Sequence, residues 1–168
     1  MTKYILFILM SVLFSCTTDK LNLQSEQQQI NFLLDHWHQA AGKADFNAYF
    51  EVLTDDAIFM GTDATEHWNK SQFIEFSKPY FDRGKAWNFK SLQRHIYFDP
   101  SGKIAWFDEL LDTQMKICRG SGVLQKQGAS WKIKQYVLSM TVPNEKVDEV
   151  VKMKDSIETN LIFRLKDN

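Results

Sequence analysis

The sequence predicts an α+β fold in which N-terminal helices pack on a strongly curved antiparallel sheet and close a cone-shaped pocket. Three observations carry this expectation. Apolar residues recur at helical spacing through the first half of the chain, up to about Gly84. From Ala86 onwards the texture changes to long alternating strands, separated by tight turns at Pro100-Ser101-Gly102 and Gly128-Ala129-Ser130. Aromatic residues form 14% of the chain, thirteen of them Phe and five Trp, enough to fill a large-residue core or to line a pocket.

The elements follow in order. MTKYILFILMSVLFSC has Lys3 as its only charge and an apolar run from Tyr4 to Phe14 that is too short to span a bilayer. Residues 1–15 therefore read as a signal peptide. Leu13-Phe14-Ser15-Cys16 resembles a bacterial lipobox, so Cys16 is the expected lipidation site, and acyl chains on it would anchor the protein. The expected location is exported, lipid-anchored in the bacterial cell envelope. With Cys16 lipidated, Cys118 has no disulfide partner and reads as a small buried hydrophobe.

Residues 16–27 read as a polar tether, 28–142 as the cone domain and 143–168 as a C-terminal helix and tail. Ile30, Leu34, Trp37 and Ala41 mark the first helix, and Asp45 caps a short second one through Phe46, Tyr49, Phe50 and Leu53. AIFMG is a brief strand and GTDATEHWNK a loop. A third helix starts near Ser71, and Pro79 is expected to end or kink it. Four strands follow, then a helix through Val147, Val150 and Val151 capped by Asn144.

Charge excludes some functions. Twenty basic and twenty-one acidic residues are interleaved for a net charge of −1, without the basic stripe that a nucleic-acid partner needs. No HxxxH or CxxC spacing points to a metal, no glycine-rich loop follows a strand to cradle phosphate, and no cofactor is implied.

The chemistry-bearing residues cluster in IAWFDELLD, Ile104 to Asp112. Both parities of this strand are apolar, as in a strand buried on two faces, yet Asp108 and Glu109 sit side by side. A buried acid needs a charged partner, and Arg119 is the central cation of the next strand. The expectation is that Trp106 and Asp108 line the cone, with Arg119 bridged to Asp108 or Glu109. The pair then either props the cone or anchors a ligand. His95 shares a parity with Tyr97 and is, with Asp108, a candidate acid or base. His36 and His38, at i and i+2, do not share a helix face. Glu66 either caps the helix near Ser71 or bonds the loop backbone, or else points at the cone mouth, and Trp68 either lids the pocket or packs.

ADFNAYFEVLTDDAIFMGTDATEHW in the first half and WKIKQYVLSM near the end, with AWFDE and RGSGVLQKQGASW between them, resemble the nuclear transport factor 2-like superfamily in its SnoaL-like branch. The resemblance runs from about Gln28 to Thr141 and implies the cone fold. Relatives of this kind often carry histidines in the last strand, where this chain has Gln135 and Val137. It implies no histidine base here, and the fold itself hosts enzymes, binding modules and platforms alike.

Three functions follow as expectations. The first is a membrane-tethered, non-catalytic domain holding a small apolar or amphipathic ligand among Trp68, Tyr97, Trp106, Asp108, Arg119 and Gln135. The second is an enzyme like ketosteroid isomerase or a dehydratase, with Asp108 or His95 as base and Arg119 or Tyr97 as electrophile. The third is a homodimeric interaction platform built on one face of the sheet.

Overall fold

A computed structural model describes residues 22–167 of the chain; Cys16 and the expected signal peptide lie outside the described residues. The elements run α1 (Leu23–Gly42), α2 (Phe46–Glu51), β1 (Leu53–Met60), β2 (His67–Asn69), α3 (Lys70–Asp82), β3 (Phe89–Phe98), β4 (Ile104–Thr113), β5 (Lys116–Gln127) and β6 (Ser130–Met140). A 3-10 turn (Asn144–Lys146) leads into α4 (Val147–Lys166). One six-stranded sheet has the order β2-β1-β6-β5-β4-β3, antiparallel throughout except for the parallel pair β1 and β6. The helices before β3 cover its concave face. The fold is the expected α+β cone, and the sheet does not close on itself.

Local chemistry sets the boundaries. The Asn22 side chain accepts from the Ser25 amide, so α1 begins within the stretch read as a tether. Its buried face carries Ile30, Leu34, Trp37, His38 and Ala41, one turn apart along a single stripe. Glu26 pins the first turn to the sheet, accepting from Lys126 Nζ at 2.6 Å and from Trp131 Nε1 at 2.7 Å. Asp45 caps α2 by accepting from the Ala48 amide. Asn69 and Gln72 form a reciprocal capping box at the start of α3. Pro79 lies inside α3, which continues to Asp82, because only the backbone bond toward the preceding turn is lost and Phe81 still docks in the core.

Turn chemistry fixes the sheet register. Between β3 and β4 the Asp99 carboxylate accepts from Ser101 Oγ, the Ser101 amide, the Lys103 amide and the Ile104 amide. The Ser101 hydroxyl and the Ile104 amide lead in pulling its pKa down to about 2. Gly102 takes a positive φ of 65°, which a side chain would resist. Closed by this turn, β3 and β4 pair with Phe98 opposite Ala105 and Arg94 opposite Glu109.

One irregularity changes which residues face inward. Leu124 pairs with Ile133, but Val123 pairs with Gln135, leaving Lys134 as the extra residue of a β-bulge. Trp131 and Ile133 are buried before the bulge; Tyr136 and Leu138 are buried after it. The resemblance puts Gln135 in the pocket, where relatives carry a histidine; beyond the bulge it lies on the outer face instead.

The C-terminal helix is longer than the sequence suggested, running past Ser156 to Lys166, and Asn144 opens the 3-10 turn before it with no side-chain cap. No residue of α4 is buried among the described residues, and its principal contacts are with that turn. Val151, Ile157 and Phe163 are each more than half exposed.

Candidate functional site

The concave face holds two layers: a pocket near one end of the cone and a sealed polar cluster beneath it. The cluster centres on Glu109, whose side chain is fully buried. Facing it across the hairpin, Arg94 donates from Nε to Oε2 at 2.9 Å, with Nη2 adding a charge contact at 2.8 Å. From α1, His38 Nε2 lies 2.8 Å from Oε1; a carboxylate only accepts, so this nitrogen carries the proton. Tyr136 completes the set, its hydroxyl donating to Oε1 at 3.1 Å. Arg94 is itself held by Asp35 at 2.9 Å and by the Asn31 side chain at 3.1 Å.

The electrostatics of the cluster are those of a closed unit. Burial pushes the Glu109 carboxyl up, but the His38 hydrogen bond and the Arg94 guanidinium outweigh it and hold the group below its ordinary 4.5. Burial, then the Glu109 charge, pushes the Tyr136 phenol well above its ordinary value. Gly120 stands opposite Glu109 on β5, where a Cβ would come within 2.2 Å of the Tyr136 hydroxyl oxygen and 3.0 Å of Glu109 Cγ. That residue is glycine because the cluster occupies its side-chain space.

The pocket, about 300 Å³, opens between α3, the β1–β2 loop and the β4–β5 turn. Seven aromatic rings wall it: Phe59, Trp68, Phe73, Phe76, Tyr80, Trp87 and Phe89. Several are nearly parallel, with Phe59 on Phe73 at 3.9 Å and 13°, and Trp68 on Phe76 at 4.4 Å and 24°. Thr62, Glu66 and Gln114 supply polar groups at the rim. Glu66 does not cap the helix near Ser71, a place Asn69 takes; its Oε2 accepts from the Asp63 amide, and the residue lines the pocket.

No member of the Glu109 cluster lines the pocket. A layer of rings separates the two: Phe89 and Phe59 face the pocket, and behind them lie His38, 5.9 Å from Phe89, and Tyr136, 5.5 Å from Phe59.

Of the residues expected in the pocket, Trp68 lines it. The others stand on the opposite face of the sheet. Arg119 pairs with Leu110 across β4 and β5 and is exposed, whereas Glu109 pairs with Gly120. The expected bridge between Arg119 and the acids is thus corrected: Glu109 takes Arg94 and His38, and Asp108 takes His95 at 3.1 Å on the outer face. Tyr97 and Trp106 stack there at 5.8 Å, each nearly half exposed. Trp106 and Asp108 do share one face of β4 and Phe107 and Glu109 the other, but both parities are apolar, and only the buried acid's partners decide which face turns inward. Asp108, His95, Tyr97 and Arg119 therefore do not form a catalytic set inside the cone.

Sequence signals existed for the missed residues. Arg94 and Glu109 lie five residues outward from Asp99 and Ile104, the pair that closes the hairpin, so counting from the turn sets them opposite each other. His38 stands four residues after Leu34, on the buried stripe of α1. Cys118 is fully buried, as expected of a small hydrophobe, with Thr113 Oγ1 at 3.5 Å. Among the described residues no three His, Cys, Asp or Glu side chains converge as a metal site would require.

Comparison with known proteins places this geometry. Among solved structures, the chain is similar to an NTF2-like protein of unknown function from Pseudomonas putida KT2440, with 17% identity and a TM-score of 0.61 over 73% of this chain and 92% of that one. It is similar to an NTF2-like protein from Cytophaga hutchinsonii, with 14% identity and a TM-score of 0.58 over 69% and 98%. The association domain of C. elegans CaMKII matches with 17% identity and a TM-score of 0.58 over 70% and 97%. At these identities the likeness is one of fold. No curated protein matches the chain. The model of the SnoaL-like domain matches residues 30–143, most of the length, and the chain belongs to that family.

Proposed function

We propose that this protein is a membrane-tethered, non-catalytic receptor for a small apolar or amphipathic molecule, held in the aromatic pocket. One observation carries the reading: seven rings wall a pocket of about 300 Å³, while the fully buried groups able to move protons are turned away from it, His38 and Tyr136 both bonded to Glu109 behind a ring layer. A pocket with mostly apolar walls and a few rim polar groups suits binding, and its size, at the small end for ligand sites, suits a compact guest. The test is titration with N-phenyl-1-naphthylamine, an uncharged probe that brightens in apolar surroundings. Saturable brightening that weakens about tenfold in Trp68→Ala supports the pocket, and no saturable signal from a folded protein removes it.

The tether rests on Cys16. In a bacterial host the native chain is expected in the membrane fraction and Cys16→Ser in the soluble fraction; equal partitioning of the two would rule the anchor out. No helix among the described residues is long and apolar enough to cross a membrane, so such a protein would be held by its lipid.

The same protein is proposed to be a homodimer through the outer sheet face. Tyr97, Trp106, Leu110, Val123 and Val137 share that face, with Tyr97 and Trp106 each nearly half exposed, an apolar patch that a second copy could cover. Arg119 and the Asp108–His95 pair would give it polar register. Sedimentation equilibrium should return a dimer for the native chain and a monomer for Tyr97→Glu/Trp106→Glu. A native chain that stays monomeric at high concentration contradicts the dimer.

A further inference from the structure

We infer that the pocket selects organic cations, most simply a quaternary or tertiary alkylammonium group. This rests on the pocket reading above and sharpens it to a charge class. Of the residues that line the pocket, Glu66 alone is charged, and no lysine or arginine is among them. The wall is otherwise aromatic, and ring faces carry negative quadrupole density that attracts a desolvated cation. An alkylammonium loses less hydration on entry than a primary ammonium, and its methyl groups match an apolar wall. The fold already uses this attraction nearby: the Arg83 guanidinium sits 4.9 Å from the centroid of Tyr80, one of the pocket rings.

Glu66 is built to take part. It is half-buried in the β1–β2 loop, and the Asp63 amide donates to Oε2, so the carboxylate is held at the rim rather than trailing in solvent. Gly61 lets it lie close: a Cβ there would fall 2.0 Å from Glu66 Oε2. Glu66 therefore packs over the loop backbone at the rim of the aromatic wall. An anion meets the opposite conditions, one carboxylate and several ring faces, with no positive group lining the pocket to offset its desolvation.

Three isosteric probes of different charge test the inference: choline, neutral 3,3-dimethylbutan-1-ol and anionic 3,3-dimethylbutanoate, each titrated calorimetrically into the purified full-length protein at constant ionic strength. Choline is expected to bind about tenfold or more tighter than the alcohol, and the carboxylate weakest. Glu66→Gln retains an oxygen to accept from the Asp63 amide and should cost choline about fivefold while leaving the alcohol unchanged. Trp68→Leu should weaken choline more than it weakens the alcohol. The inference is overturned if the alcohol binds as tightly as choline, if Glu66→Gln treats both alike, or if choline fails to bind a protein that still takes N-phenyl-1-naphthylamine. In that last case the pocket stands and its charge preference falls. Loss of both signals removes the pocket itself.

Discussion

Arg94→Met is expected to destabilise the protein by on the order of 3–5 kcal/mol, because it leaves the Glu109 carboxylate buried without its guanidinium. The contrast with Arg119→Met makes the measurement decisive. Within the protomer Arg119 lies exposed on the outer face, and at concentrations too low for pairing its replacement should cost no more than about 0.5 kcal/mol. Urea melts of both variants check the pair, and equal effects would mean that Glu109 does not depend on Arg94. The pH dependence follows from the same cluster. Glu109 has its pKa lowered in the folded state, so its contribution to stability is fully present above the ordinary value of 4.5 and is lost as pH falls through the lower folded value. The native protein should therefore lose stability below about pH 4.5, and Arg94→Met should begin to lose it at higher pH, since burial then goes less opposed.

Phe73→Ala should cost about 3–5 kcal/mol and empty one wall of the pocket at once. Phe73 is 1% exposed and stacks on Phe59 at 3.9 Å, with Tyr49, Phe50, Trp68 and Trp87 all within about 6 Å. None of these rings can move into the space without leaving another contact, so the cavity persists. Phe76→Ala, at a partly exposed ring on the same helix, should cost much less stability while still weakening the naphthylamine probe. A chemical melt separates the two variants. A cost below about 1 kcal/mol for Phe73 would mean that the ring layer collapses freely, and that the pocket is soft.

Much of the fold could be read from local pattern. The stripe of α1, the cap of α2 and the hairpin turns are short-range features, and each is written in residues a few positions apart. The three-residue β2 was read as loop because so brief a strand has no period of its own; it exists because Phe59 pairs with Trp68 across the loop. The site was harder for a different reason. Inward and outward parities of β4 are equally apolar, so the pattern that usually tells core from surface was silent at Asp108 and Glu109. Long-range partners settled it, Arg94 across one turn and His38 from a helix 71 residues away. Farther along, the bulge at Lys134 reversed the parity of β6 and carried Gln135 outward, an effect that no alternation rule contains.

The exposure of α4 has a consequence for the time course of opening. A helix whose side chains are nowhere buried draws little support from the rest of the molecule, and in proteins most helical stability comes from tertiary packing. Residues 147–166 should therefore open independently of the cone, and their amides should trade hydrogen for deuterium well before those at the centre of β4 and β5, which wait on sub-global or global unfolding. Pulse labelling with mass spectrometry reads this directly. Uniform protection across α4 and β5 would mean that the helix is docked in solution. Any surface that comes to cover its apolar side would register first as slowed exchange confined to this segment, with the protection of the sheet unchanged.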